Sequence, residues 1–574
     1  MLACAHSARG TESPSAASSG GFTPYELARL GMSRPAGVLA VRDAVPASGE
    51  DEARLALLRA GFRLDGGTDA EPAYADWLAH EPLAPGRSRA QLGLGLAALS
   101  NHLPKPAWED FRRVRAWSRP SPVDDAAAFW EGEAAWQLGE DAAAGRAFGE
   151  VLTTYRGSPY EGSAAYRMAW VESRQGSSDA ALAHFELAER LDRTLSASAS
   201  LQRGWVLLQA GRTPEARAVF DAAAAGPDRR SAEEALVGQA ECAYRTDDFA
   251  GADKLFDAAL ARAPDARAKA PLTYSLGWAA LKQQQFPRAR ATFLGVVKDY
   301  PQEPAAPFAA YRAALCLFDL GKPDDALLEL KDVAARWPGH EVGEWATYSR
   351  GWIHLSLGRF NEAKAAFRAL LDQYPSGKLV APARYLLAST LLQERHFREA
   401  EREFVSLAAD LPSSGLADGA LLWAGWAALL DGRAAEALPH LDLLAARYPK
   451  SPLAPDAALA EGEAAFALHE YARAGRAYGI AAAATGETRI KGLIGQGWCG
   501  FAAGDWKTAE TAFRAALGEA TDARIKNRAR VRLGDALFNQ KRFGDARGAY
   551  TQVVAGPEED LARWAQLQLG WCAF

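Results

Sequence analysis

Long apolar runs are missing from this chain. No stretch of its 574 residues approaches the roughly 18 consecutive apolar residues that mark a membrane-crossing helix. A basic excess is missing as well. The net charge is −6, the pI is near 6.0, and no block of dense Lys/Arg is interleaved with aromatics, so the sequence offers no face for neutralising nucleic-acid phosphates. Histidine is scarce and scattered. His184, His340, His354, His396, His440 and His469 fall at unrelated places, and none recurs with a Cys, Asp or Glu partner. Neither CxxC nor a zinc-type Cys/His spacing occurs, so no metal site is expected. P-loop, GxSxG and HExxH patterns are absent too. Gly93-Leu94-Gly95-Leu96-Ala97-Ala98 matches GxGxxA, but no β-rich strand precedes it, as a dinucleotide site requires. These absences predict a chain that is not an enzyme and carries no cofactor.

What is present is repetition. Gly-Trp recurs at Gly204-Trp205, Gly277-Trp278, Gly351-Trp352, Gly425-Trp426, Gly497-Trp498 and Gly570-Trp571, at intervals of 72 to 74 residues. A shorter period lies inside that one. An alanine is followed four residues later by a large apolar residue, as in Ala144/Phe148, Ala216/Phe220, Ala252/Phe256, Ala289/Phe293, Ala400/Phe404 and Ala509/Phe513. The steps are 35 to 37 residues, and a weaker match at Ala70/Tyr74 falls one step further back. Periods of this length imply a solenoid whose units bury their apolar faces only by stacking.

Each unit reads as two helices. Residues 272–300 show apolar residues at helical spacing before and after a polar break at Lys282–Gln285. Twelve residues before each alanine sits a second small residue, among them Gly132, Ala169, Gly204, Ala240, Gly277, Gly351 and Gly497. Gly within a helix costs about 1 kcal/mol relative to Ala. Its recurrence therefore predicts a packing role, with two antiparallel backbones approaching closely where they cross. Pro301, Pro338, Pro375, Pro412 and Pro449 close several units, since proline cannot continue a helix.

This skeleton resembles the tetratricopeptide repeat over roughly residues 90–574, and more loosely over 50–90. Segments such as 374–404 and 448–478, with their Tyr-Pro openings and long linkers, resemble the bacterial envelope subtype found in the Tol-Pal coordinator and outer-membrane assembly lipoproteins. The resemblance implies an all-α solenoid of antiparallel helix pairs, wound as a right-handed superhelix. It also implies a non-enzymatic scaffold for protein partners, in envelope assembly, cell-wall coordination, or a motility or secretion machine. A cytoplasmic adaptor and a glycan- or peptidoglycan-binding envelope protein are the alternatives.

The ends carry further expectations. Met1-Leu2-Ala3-Cys4 resembles the end of a bacterial lipobox, which would make Cys4 a lipidation site, the only route to a membrane and a pointer to the periplasm or outer membrane. An ordinary cytosolic start with an accidental cysteine is the competing reading. Residues 1–21 read as a Ser/Gly/Ala-rich tether, 22–49 as an irregular lead-in, 50–125 as degenerate helical hairpins and 126–574 as regular repeats. Residues 561–574 match a first helix without its partner. Trp571, Cys572 and Phe574 are thus expected to be partly uncovered, whether the chain is truncated, continues in another polypeptide, or associates end to end with another copy. Cys242, Cys316, Cys499 and Cys572 each lie two residues beyond a first-helix small residue, where other units carry Ala. They read as small buried hydrophobes.

The candidate binding residues are the tryptophans that follow the small residue: Trp170, Trp205, Trp278, Trp352, Trp426 and Trp498, with Trp571 last. In the family this position faces the concave groove. Indoles mostly in every second repeat, with Glu133, Glu241, Leu315, Ser389, Glu463 and Asp535 at the intervening sites, would suit an extended peptide carrying apolar and basic side chains. A second reading makes the rings mortar between repeats. Three residues on, Leu208, Leu281, Leu355 and Leu429 alternate with Trp136, Tyr244, Phe318 and Phe466, the large-beside-small pattern of interdigitating layers.

Overall fold

The computed structural model describes residues 75, 78, 79 and 84–574, apart from 118–120, 122, 227, 555–558 and 574. Cys4, the segments 1–21 and 22–49, the Ala70/Tyr74 match and Phe574 lie outside the described residues. Among the described residues the chain forms 27 helices and no strand, an all-α solenoid. It divides into two compact units after Lys322. In the first, helix pairs run from Ala84–Ser100 with Pro104–Ala116 to Ala266–Lys282 with Phe286–Asp299, and Ala305–Asp319 follows. In the second, Pro323–Arg336 is followed by pairs from Glu341–Ser356 with Phe360–Gln373 to Ala523–Asn539 with Phe543–Val554, and then by Glu559–Ala573.

The two helices of a pair differ in how much of their circumference is apolar, and that sets their layer. Phe286–Asp299 buries only Ala289, Phe293 and Val296, a single stripe at i, i+4 and i+7. Ala266–Lys282 buries Ala270, Leu272 and a continuous run from Ser275 to Ala280, so it is enclosed on nearly all sides. The first helices therefore form the inner layer of each stack, and the second helices cover one flank. Five closing prolines follow helix ends at Asp299, Arg336, Gln373, Asp410 and Arg447, as their placement predicts.

The recurring glycine does a different job from the expected backbone crossing. A Cβ on Gly204 would lie 2.7 Å from Cε1 of Phe220, and one on Gly497 would lie 2.6 Å from Cζ of Phe513. The glycine makes room for the aromatic ring sixteen residues on, which is fully buried at Phe220, Phe293, Phe367 and Phe513. Burying such a ring contributes about 1.5–3 kcal/mol per repeat. A close backbone approach occurs three residues later, where a Cβ on Gly500 would come 2.8 Å from the backbone nitrogen of Ala509. Gly95, the second glycine of the GxGxxA match, occupies the same slot against Phe111 inside the helix Ala84–Ser100.

Among the described residues, every hairpin turns through one left-handed residue. Seven of these are Gly139, Gly176, Gly211, Gly321, Gly358, Gly432 and Gly504, and six are His102, Asp247, Gln284, Arg395, His469 and Lys541, with φ between 58° and 64°. At Gln284 the turn closes with Gln284 N–H donating to Leu281 O (2.9 Å) and Gln285 N–H to Ala280 O (2.9 Å), a Schellman pattern. Ion pairs tie several second helices to the next repeat: Asp141 to Arg174, Asp179 to Arg212 (3.1 Å), Asp253 to Arg288 (2.9 Å) and Asp324 to Arg359.

A candidate binding face on the first helices

Each of four tryptophans of the series, Trp170, Trp205, Trp278 and Trp498, is seated by its own repeat. Its ring meets the second-helix phenylalanine edge to face, with centroids 5.9 Å apart for Trp170 and Phe185, 5.1 Å for Trp205 and Phe220, 6.4 Å for Trp278 and Phe293, and 6.0 Å for Trp498 and Phe513. Such pairs contribute about 0.5–1.5 kcal/mol beyond area burial. Exposure differs along the chain. Trp205 and Trp278 are 7% and 5% exposed, Trp170, Trp352 and Trp426 are half-buried, and Trp498 and Trp571 are 36% and 57% exposed. The indole N–H groups of Trp205 and Trp278 are buried and donate to no protein acceptor. Packing on Phe is thus common to these four rings, while accessible indole surface is concentrated in the last repeats of the second unit.

The next first helix reaches back onto the same position. Thirty-four residues beyond it, Arg167 pairs with Glu133 (2.5 Å), Arg312 stacks on Trp278 (4.3 Å), and Arg532 stacks on Trp498 (4.7 Å). Sequence reasoning missed these arginines, although the fixed offset could have revealed them. Glu133 is buried, and that burial raises its carboxyl pKa above the usual range against the opposing pull of Arg167.

The carboxylates at the intervening sites also have a local logic. Where the second-helix ring is Tyr rather than Phe, its hydroxyl finds an acid: Tyr550 donates to Asp535 (2.7 Å), and Tyr478 pairs with Glu463. Burial leads in raising both phenol pKa values, and these acids raise them further. The large residues three positions on brace the hairpin, Tyr244 against Phe249 (5.3 Å), Phe466 against Tyr471 (5.4 Å) and Phe538 against Phe543 (5.1 Å).

Cys242, Cys316 and Cys499 are buried free thiols, and Cys572 is half-buried. Desolvation pushes Cys242 up to about 11 and Cys316 up to about 12. Among the described residues no His/Cys/Asp/Glu group has metal-site geometry, and no helix is long and apolar enough to cross a membrane. Gly570, unlike the other Gly-Trp glycines, has nothing within 4 Å of a Cβ position, and Trp571 beside it is exposed.

A family model described as "Tetratricopeptide repeat" matches residues 166–232, 274–341, 348–393, 385–452 and 501–560, together just over half of the chain. No curated protein matches its sequence. Among solved structures, the chain is similar to a tetratricopeptide repeat protein from Parabacteroides merdae, with 14% identity, 47% of this chain and 98% of that one covered, and a TM-score of 0.29. A chain of the APC/C hetero-tetramer Cut9–Hcn1 matches at 14% identity, covering 94% of this chain and 99% of that one with a TM-score of 0.36. Yeast Tom70 matches at 13%, covering 83% and 99%, with a TM-score of 0.29.

Proposed function

The chain belongs to the tetratricopeptide repeat family, and from that premise we propose that it is a non-enzymatic scaffold docking protein segments along its first-helix face. One observation carries the reading. The Trp498 indole is held by an edge contact to Phe513, yet it keeps 36% of its surface exposed. A prepositioned aromatic surface loses little conformational freedom on binding, and Trp is the residue most enriched at binding hot spots. The half-buried Trp352 and Trp426 extend that surface toward the middle of the second unit.

Site-specific photo-crosslinking in native cells tests the docking face. A photoreactive residue at Trp352 or Trp426 is expected to capture partner segments, whereas one at the exposed Arg402 on the second-helix flank is not. Equal capture from both flanks refutes docking along the first helices.

The setting we favour is a bacterial envelope, with a role in assembly, cell-wall coordination or an envelope-spanning machine. The support is the likeness of residues 374–404 and 448–478 to envelope-type repeats, together with the Leu2-Ala3-Cys4 sequence. Membrane attachment would run through lipid on Cys4. Expression from the native upstream DNA with a clickable fatty acid, in parallel with Cys4→Ser, checks this. Absence of Cys4-dependent label in the membrane fraction removes the lipoprotein and leaves the cytoplasmic adaptor.

A further inference from the structure

Three consecutive first helices at the end of the second unit, Gly486–Ala502, Ala523–Asn539 and Glu559–Ala573, carry a feature that the charge of the whole chain conceals. The chain is acidic at −6, but Ala523–Asn539 holds five cations, Arg524, Lys526, Arg528, Arg530 and Arg532, against one carboxylate, Asp535. Arg524, Arg528 and Arg532 follow one another at i, i+4 and i+8 and so share a stripe, which Asp535 continues at i+11. Arg524 and Arg528 are exposed, and Asp522 caps the N-terminus of their helix.

Side-chain contacts place this stripe between two aromatic ones. Arg532 lies 4.7 Å over the Trp498 ring on one side. Asp535 accepts from Arg532 (2.8 Å), from Tyr550 (2.7 Å) and, at 3.4 Å, from the indole N–H of Trp564 on the other side. Its charge is thereby spent locally. Trp498 and Trp564 are 36% and 42% exposed, and Leu567 and Trp571 continue the outer stripe at 54% and 57%. Lys491, two helical turns before Trp498, pairs with Glu487 (2.8 Å) at an exposed site where such pairs contribute little. The order across the helices is aromatic, cationic, aromatic.

We propose that this surface docks an extended acidic peptide segment with apolar anchor residues, a partner class that deepens, and rests on, the scaffold reading above. Packed helices lie roughly 8–10 Å apart, and an extended chain covers that distance in about three residues. A segment crossing the three helices would therefore set an apolar side chain on Trp498, an acid against Arg524 and Arg528, and a second apolar residue on Trp564 or Trp571, at intervals of about three residues. Discrete alternation of this kind suits a peptide better than a nucleic acid, whose continuous phosphate chain would also pass over the Asp535 carboxylate.

Fluorescence anisotropy with the full chain tests it. The probes are a labelled peptide of Asp and Glu with Leu and Phe at every third position, its counterpart with Lys in place of the acids, and a single-stranded oligodeoxynucleotide. The acidic peptide is expected to bind and to weaken with added salt. Arg524→Glu with Arg528→Glu should weaken it by about tenfold or more without changing the circular dichroism melt, because both side chains are exposed. Trp498→Ala should weaken it as well. The proposal is overturned if the acidic peptide does not bind, if the Lys counterpart binds equally, if the Arg reversal has no effect, or if the oligonucleotide binds more tightly and is lost in the same variant. Retained crosslinking at Trp352 and Trp426 in any of those cases leaves the scaffold standing and removes only this partner class.

Discussion

Replacing Gly204 by Ala sets two known effects against each other at one site. In an open helix interior the change stabilises by about 1 kcal/mol, because Ala restricts the unfolded chain and favours the helix. Here the new Cβ would sit 2.7 Å from Phe220 Cε1, against an ordinary carbon contact of about 3.5–4.0 Å. Phe220 would have to retreat by about 1 Å. It is fully buried, it meets the Trp205 ring at 5.1 Å, and it is held from the far side by Gly238, where a Cβ would also collide with it. Overpacking of that kind costs about 1–3 kcal/mol, so Gly204→Ala should be net destabilising by up to about 2 kcal/mol. Gly295→Ala, in the helix Phe286–Asp299 with nothing within 4 Å of the added methyl, should instead stabilise by up to about 1 kcal/mol. Urea denaturation followed by circular dichroism reads both. In a double-mutant cycle, Phe220→Leu should cost less in the Gly204→Ala background than in the parent. Equal midpoint increases for the two Gly→Ala variants would refute the idea that the glycine exists to seat the ring.

The left-handed turn residues offer a second check: His469→Gly, at φ 62°, should raise stability by up to about 1–2 kcal/mol, whereas Gly139→Ala, at φ 79°, should lower it, as read from denaturation midpoints. In the native Cys4→Ser chain, alkylation at mild alkaline pH followed by mass spectrometry should mark Cys572 first. Cys242 and Cys316, fully buried and shifted to about 11 and about 12, should react only after unfolding. For Glu133, burial raises the folded pKa, so the folded chain binds more protons than the unfolded one between the unfolded and folded values, and stability falls as pH rises through that window. Glu133→Gln should therefore gain on the parent as pH rises and lose that advantage at acid pH. A stability difference that grows on acidification contradicts this sign.

The helices, their hairpin breaks and the closing prolines were legible because each depends on local pattern, and thirteen copies repeat it. The partner of each glycine was not. Small residues at a fixed offset fit either two backbones touching or one ring nesting, and only the direction of the Phe220 or Phe513 side chain distinguishes them. Two relations at the binding face lay in the sequence as offsets between different repeats. Arg312 and Arg532 stand thirty-four residues beyond Trp278 and Trp498, and Tyr replaces Phe at 478 and 550 where Glu463 and Asp535 can accept its hydroxyl. Such pairs join positions that are distant in sequence but adjacent in a stack, so a search along one helix period passes over them.

The same geometry explains why a basic surface escaped a search for basic blocks interleaved with aromatics. In Ala523–Asn539 the cations belong to one helix, and the tryptophans that flank them belong to the helices before and after. A solenoid reads across its repeats at right angles to the sequence. A charge-and-aromatic pattern can therefore be dense on its surface while each segment of chain contributes only one of the two components. On that basis the informative unit for this protein is the set of equivalent positions in neighbouring first helices. The doubled Gly-Trp period then matters less as a ligand ruler than the break in its burial. Trp205 and Trp278 are enclosed, whereas Trp498 is open, and over it lies Arg532, from the stripe that begins with the exposed Arg524 and Arg528. Binding that depends on the Gly-Trp series should accordingly be more sensitive to Trp498→Ala than to any substitution at Trp205, whose loss should register in stability.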